Sequence, residues 1–305
     1  MKATRLHAYG GIDQFKYEEV ADPVPTVGEI LIAVEASSLN PVELYIRQGL
    51  LTRMAPLELP AILGLDVAGT VTSVGADVAG FKAGDRVIGK LPIQGRGANA
   101  EQVVAAPRYL ARLADNVGFV EGATLPLAGL TGRQTVAAAG VKQGDRVLVT
   151  GALGAVGRAA VEYLKELGAI PVAGVRASRI NEAKALGIDA VAIDEPPAQG
   201  ERSFDAAIAT VGGGIASATI GRIRDGGVLA AVAGVPDGFN ADGRIKIINV
   251  FSTEDAATLQ HIADAAASGK LSIPVAKILP LSEVGEGHRL LAAGRTRVLL
   301  QRGAQ

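Results

Sequence analysis

Two periodicities divide the chain. From Lys2 to about Ala114, apolar positions recur mostly every second residue, the spacing of half-buried strands. Phe15–Val20 alternates until Pro23-Val24-Pro25 interrupts it. Gly28–Ala36, Val67–Gly75 and Gly84–Gly89 are further strand patterns, separated by Gly, Pro and Asp turns. Together they predict an antiparallel barrel or bent sheet. From Phe119 to Val136 the pattern is helical, and apolar runs then alternate with helices. Strands are expected at Arg146–Thr150, Ile170–Val175, Ala190–Ile193, Phe204–Val211 and Gly226–Gly234. The helices between them are Ala155–Leu167, Asn181–Leu186 and one from Gly212 to about Ile223. Apolar strands alternating with helices predict an α/β domain with a parallel sheet covered on both faces. Arg244–Ser252 is strand-like and Asp255–Ser268 an amphipathic helix stopped by Gly269. A helix over Glu283–Ala293 and a strand over Thr296–Leu300 close the pattern.

Composition narrows the class. The 305 residues suffice for one large domain or two ordinary ones, and 49% are hydrophobic against 20% charged. A net charge of −1 without a basic block argues against nucleic acid as a partner. With no cysteine, disulfides and thiolate metal ligands are excluded, and a reducing cytoplasm is the default compartment. No run approaches the roughly 20 apolar residues of a membrane helix. The N-terminus lacks an apolar core of signal-peptide length, so a soluble protein is expected.

The strand Arg146–Thr150 feeds Gly151-Ala152-Leu153-Gly154-Ala155-Val156-Gly157 and then a helix. A glycine turn at a helix N-terminus presents backbone N–H groups and a positive dipole end to a phosphate. The spacing is G-x-x-G-x-x-G, which alone is also compatible with a plain strand–helix turn. The strand–turn–helix–strand order over about 30 residues supplies the context of a dinucleotide fold. Backbone groups of Gly151, Leu153, Gly154, Ala155 and Val156 are therefore cofactor candidates. At the end of the second strand stand Arg176, Ser178 and Arg179, where an NAD-selective fold would place an acid. Cations there suit the 2′-phosphate of NADPH, the alternative being two solvated arginines. Asp194, on the neighbouring strand end, works against that preference unless it pairs with an arginine. Val211, Gly212, Ala233, Gly234 and Val235 follow strand ends and are candidates for the nicotinamide side.

In the first region Asn40 precedes Pro41 and is placed to cap a short helix carrying Tyr45 and Arg47 on different faces. Taken alone, these are an N-cap, a packed tyrosine and a solvated arginine. The runs Asn40–Gly49, Leu63–Val71 and Gly84–Val87 together resemble the quinone oxidoreductase (zeta-crystallin-like) branch of the medium-chain dehydrogenase/reductase superfamily. The resemblance implies a Rossmann doubly wound parallel sheet inserted in a GroES-like β-barrel catalytic domain. The catalytic domain would span residues 1–122 plus 270–305, and the NADP-binding domain residues 123–269. It also implies that Thr131 contacts the cofactor, that Tyr45 is the hydrogen-bond donor or proton relay, that Asn40 positions, and that the chain forms a homodimer. Zinc-dependent members carry a cysteine near the Asn40 position and Gly-His-Glu in place of Gly64-Leu65-Asp66. This chain has neither, and His7, His261 and His288 are scattered, so no metal is expected. Leu50 and Leu51 stand where relatives often carry a second tyrosine, and Asn99 at a commonly aromatic position. The implied activity is hydride transfer from NADPH to a quinone. The alternatives are reduction of the C=C bond of an α,β-unsaturated carbonyl, and an NADPH-binding sensory or structural protein.

Overall fold

A computed structural model describes residues 1–93, 96–195, 202–212, 215, 219–232, 234–235, 243–294 and 298–303. The chain divides into two units, Met1–Leu127 with Glu254–Gln305, and Ala128–Thr253. The helix Ala256–Ala267, grouped with the second domain in the sequence, thus falls in the first unit. Its attachments explain why. The Arg112 backbone N–H donates to Gln260 Oε1 at 2.9 Å, and Asn116 Nδ2 donates to the Ala267 carbonyl at 2.8 Å. Asp255 caps this helix by accepting from the Thr258 N–H at 2.9 Å.

In the first unit, β1 (Lys2–Leu6) pairs antiparallel with β2 (Phe15–Glu19) and β4 (Ala61–Ile62). The larger sheet contains β3 (Ile30–Ser38), β5 (Asp66–Val74), β6 (Arg86–Lys90), β7 (Gln102–Ala105) and β8 (Leu110–Arg112). The chain returns to it near its C-terminus with β15 (Lys277–Pro280) and β16 (Val298–Gln301). The order is β15-β16-β3-β5-β6-β8, with β7 paired to β3, an open path among the described residues. Along β3 the residues Ile30, Ile32 and Val34 point to one core with Val67, Val71 and Val87, as the two-residue period requires. Helix α1 (Pro41–Arg47) starts within three residues of the end of β3, with proline at its first turn. Helix α2 is Phe119–Ala123, and α3 (Pro126–Ala139) carries the chain into the second unit.

The second unit is a six-stranded parallel sheet. Its strands are β9 (Arg146–Thr150), β10 (Ile170–Val175), β11 (Asp189–Ala192), β12 (Phe204–Ala209), β13 (Ile223–Ala231) and β14 (Lys246–Asn249). They lie in the order β11-β10-β9-β12-β13-β14, the doubly wound arrangement. Helix α4 (Ala155–Glu166) follows β9 and α5 (Ile180–Ala185) follows β10. Val147 and Val149 of β9 pack with Ala160, Val161 and Leu164 of α4, whereas Leu148 packs on the other face with Val172, Phe204 and Leu229. Both faces of β9 are buried, which is why its sequence is a continuous apolar run. The helix expected from Gly212 to about Ile223 falls largely outside the described residues, although Ile215, Thr219 and Ile220 are helical. The remaining helices are α6 (Ala256–Ala267) and α7 (Val284–Ala292), both in the first unit. No described helix is long and apolar enough to cross a membrane.

Candidate active site

In the second unit, strand order reverses between β9 and β12, and the crevice beyond their carboxyl ends is where such sheets bind ligands. The three glycines after β9 serve different ends. Gly151 has φ +68° and no room for a side chain, since a Cβ would lie 2.4 Å from Thr210 Oγ1. A Cβ on Gly157 would lie 2.2 Å from the Gly151 carbonyl oxygen, so the start of α4 rests directly on the turn. Gly154 is the N-cap and offers no side chain to the first-turn N–H groups, and that turn contains no acid. Its own N–H closes the loop by donating to the Gly151 carbonyl at 2.8 Å. Leu153 buries its side chain in the sheet–helix core, and its carbonyl accepts from Arg158 Nε at 3.2 Å. The turn is thus a backbone-lined cradle with the positive end of a twelve-residue helix behind it, and it fits a dinucleotide pyrophosphate.

Neighbouring elements hold that cradle. Thr131 lies on α3, half-buried, and its carbonyl accepts from Thr135 Oγ1 at 2.6 Å. The next residue, Gly132, meets α4 so closely that a Cβ would lie 2.6 Å from the Val156 carbonyl oxygen. Arg133 then ties the two helices together. Its Nη2 lies 2.9 Å from Glu166 Oε2, its Nη1 3.5 Å from Glu162, and its guanidinium 4.1 Å over the Tyr163 ring. Val211 and Gly212 follow β12 beside Gly151, with Val211 partly exposed. Gly234 has φ +73°, and the Val235 N–H donates to Asn249 Oδ1 at 3.2 Å. Ala233 lies outside the described residues.

At the end of β10 the three candidate phosphate ligands differ. Arg176 and Ser178 are exposed, and no hydrogen bond or ion pair engages the Arg176 side chain among the described residues. Arg179 is committed to Glu182 through Nε at 2.9 Å and Nη2 at 2.8 Å, a pair one helical turn apart. That contact raises the guanidinium's pKa and lowers the carboxyl's. Among the described residues Asp194 pairs with no arginine; its Oδ1 accepts from the Ala177 backbone N–H at 2.9 Å and so anchors the loop. Buried Arg222 was not anticipated. Its Nη2 donates to the carbonyls of Ala192 and Glu195 at 2.8 and 2.7 Å, securing the end of β11.

In the first unit, Asn40 is the N-cap residue of α1 through its backbone alone, its carbonyl accepting from the Glu43 N–H at 2.9 Å. The side-chain cap expected from the sequence is absent, because the carboxamide turns into the fold. Asn40 Nδ2 lies 2.8 Å from Asp66 Oδ2, 3.1 Å from the Ser38 carbonyl and 3.4 Å from Glu43 Oε1. Asp66 and Glu43 are both wholly buried. Asp66 Oδ1 also accepts the Leu127 N–H at 2.8 Å, whereas Glu43 Oε2 has no partner. Burial first, and then the Asp66 charge, push the Glu43 carboxyl up to about 8. Lys90 stands opposite Asp66 across the β5–β6 pair, its ammonium lowered by burial and supported by Glu254 and Asp66.

Tyr45 is 52% exposed, not packed, and Arg47 is buried, not solvated. Arg47 Nη1 donates to the Gly10 carbonyl, and its Nε is unpartnered. Beside it His288, on α7, is fully buried with neither ring nitrogen bonded, its ring edge-on to Phe15 at 4.9 Å. Burial, then the Arg47 charge, push this imidazole down to about 3. Leu50 and Met54 are exposed after α1, but Asn99 is wholly buried. It supports Gly64 (φ +112°), where a Cβ would lie 2.7 Å from the Asn99 backbone N. No group of three or more metal-ligating side chains occurs among the described residues.

Both units match known families. Residues 26–123 match the alcohol dehydrogenase GroES-like domain, and residues 186–297 match the family described as zinc-binding dehydrogenase. A chloroplast envelope quinone oxidoreductase homolog of Arabidopsis thaliana is 38% identical over 198 residues, 63% of this chain and 60% of the relative. A 2-methylene-furan-3-one reductase of Solanum lycopersicum is 33% identical over 253 residues, 78% of this chain and 64% of the relative. The chain thus spans about 60% of the length of these curated relatives. A solved structure described as an NAD-dependent alcohol dehydrogenase superposes with TM-score 0.87 at 29% identity, covering 99% of this chain and 100% of that one. With a GroES-like segment, a dehydrogenase segment and the doubly wound sheet in one chain, the protein belongs to the medium-chain dehydrogenase/reductase superfamily.

Proposed function

We propose that this protein is an NADPH-dependent oxidoreductase that reduces a quinone without a metal ion. The observation that carries the reading is the backbone cradle Gly151–Gly157 next to the uncommitted guanidinium of Arg176. In this reading the N–H groups of the turn hold the pyrophosphate, through Gly151, Leu153, Gly154, Ala155 and Val156. Arg176 and Ser178 hold the 2′-phosphate, and Arg179 joins them only by leaving Glu182. Thr131, Val211, Gly212, Ala233, Gly234 and Val235 serve the nicotinamide half. When bound, NADPH supplies a hydride to an electrophilic carbon; one proton completes reduction of the quinone to the hydroquinone. Tyr45, the exposed hydroxyl of α1, donates a hydrogen bond to the substrate oxygen as charge develops there. Asn40 has a positioning role. The reading also takes the protein as a cytoplasmic homodimer, with β14, the terminal strand of its sheet, as the edge available for pairing.

A second reading, reduction of the C=C bond of an α,β-unsaturated carbonyl, is favoured by the tomato relative's activity. A panel of quinones and enals, offered with NADPH and with NADH to wild type and Arg176→Asp, separates these readings. Quinone-dependent oxidation of NADPH, with the preference shifted toward NADH by Arg176→Asp, is the expected outcome. Turnover of enals alone would replace the first reading by the second. An unchanged cofactor preference in Arg176→Asp would remove the 2′-phosphate assignment.

A further inference from the structure

We propose that Glu43 and Asp66 are positioning residues that clamp the Asn40 carboxamide nitrogen-inward, leaving Asn40 Oδ1 as the hydrogen-bond acceptor that α1 offers. The orientation of the amide follows from its neighbours. The Ser38 carbonyl can only accept, and the Asp66 oxygen 2.8 Å away already faces the same atom, so that atom is the NH2 nitrogen. Glu43 lies one helical turn after Asn40 and supplies a third acceptor at 3.4 Å. The opposite end of the amide is different. Among the described residues no donor reaches Asn40 Oδ1, and it is not one of the sealed, unpartnered polar atoms. An acceptor at this point serves an O–H or N–H group, not a substrate carbonyl. The donor to a carbonyl must then be another group, and Tyr45 is the exposed hydroxyl on the same helix. This division of labour rests on the function proposed above.

The clamp has a built-in charge condition. Two wholly buried carboxyls adjoin one amide, and Glu43 Oε2 has no donor to stabilise a second negative charge. The groups facing the pair include Asp66 from β5, Lys90 from β6, supported by Glu254, the Leu127 N–H at the start of α3, and the backbone N–H groups of Leu65 and Asn40, which face the Glu43 carboxyl. On the side of α1 that faces α7 the charged group is its own Arg47, near Asp13 and against the neutral His288. Burial and the Asp66 charge outweigh the Asn40 and Leu65 hydrogen bonds, so Glu43 carries the proton. Ionising Glu43 sets two anions against one another and releases the amide.

The test compares wild type, Glu43→Gln and Glu43→Ala. In the wild type, kcat/KM for the quinone falls as pH rises through about 8. Glu43→Gln, neutral and of the same shape, is expected to keep wild-type turnover at neutral pH within about threefold and to lose the alkaline fall. Glu43→Ala is expected to lower kcat about tenfold, with little change in the binding of NADPH measured by fluorescence. An alkaline fall that persists in Glu43→Gln, or an alanine variant with wild-type kcat, would overturn the clamp. An infrared difference spectrum, wild type minus Glu43→Gln, reads the same proton without substrate. A protonated-carboxyl band at neutral pH that vanishes in alkali supports the proposal, and its absence overturns it. If no quinone or enal is turned over, the functional reading fails and the infrared result still decides the clamp.

Discussion

Replacing His288 by leucine should remove a specific acid sensitivity. The imidazole is fully buried, unbonded at both nitrogens, and pushed down to about 3 by burial and by the charge of Arg47. The unfolded chain restores its ordinary value near 6.5. Below that pH the unfolded state binds a proton that the folded state refuses, so stability falls as pH falls. The contribution is complete above 6.5 and is lost progressively down to about 3. At about 1.4 kcal/mol per pH unit, acidification from pH 6.5 to 4.5 costs roughly 3 kcal/mol through this residue alone. Leucine has no proton to refuse and also removes two unpaired polar atoms, each worth about 1–3 kcal/mol when buried. It forfeits the edge contact with Phe15, worth about 1 kcal/mol. Urea unfolding of both proteins, followed by far-ultraviolet circular dichroism because the chain has no tryptophan, supplies the comparison. Carboxylates titrate alike in both, so the difference between the proteins isolates His288. His288→Leu should gain about 3 kcal/mol on wild type between pH 7.5 and 4.5. Parallel pH profiles would refute the reasoning, because the folded state would then accept the proton after all.

Gly157→Ala should weaken NADPH binding at least tenfold by calorimetry and cost about 1–3 kcal/mol of stability, since its Cβ would lie 2.2 Å from the Gly151 carbonyl oxygen. Tyr45→Phe should lower kcat about tenfold or more with little change in KM, because the lost donor acts on charge that develops during reaction. An equal loss in binding would make Tyr45 a contact residue instead. Asp255→Ala removes the side-chain cap of α6 and should lower stability by about 1 kcal/mol, read as a shift in the urea midpoint.

The strands and the parallel sheet were legible because their residues obey a local period. Val147, Leu148 and Val149 announce a strand buried on both faces before any partner is known. The cradle was legible for the same reason, since turn, cap and helix are contiguous. The Arg179–Glu182 pair lies three residues apart and so was open to the same reading. Glu43 and Asp66 were not legible as a pair: they lie on a helix and a strand that only the tertiary fold brings to one amide. Arg47 looked like a solvated cation because burial of a guanidinium depends on a carbonyl at Gly10 and on α7, far away in the chain. The edge of the second unit moved for a similar reason. Whether α6 belongs before or after the border depends on Arg112 and Asn116, which donate across more than a hundred residues of sequence.

The tight passage of Gly132 over Val156 makes the proposed cradle answerable to a position on another helix. The Val156 peptide offers its N–H on the first turn of α4 and turns its carbonyl oxygen toward α3, where a Cβ at residue 132 would lie 2.6 Å away. Any side chain there presses on the same helical turn that is proposed to hold the pyrophosphate. A library selected for altered cofactor affinity would therefore return substitutions at position 132 along with those at the turn, and would return them even if every residue touching the cofactor were held constant.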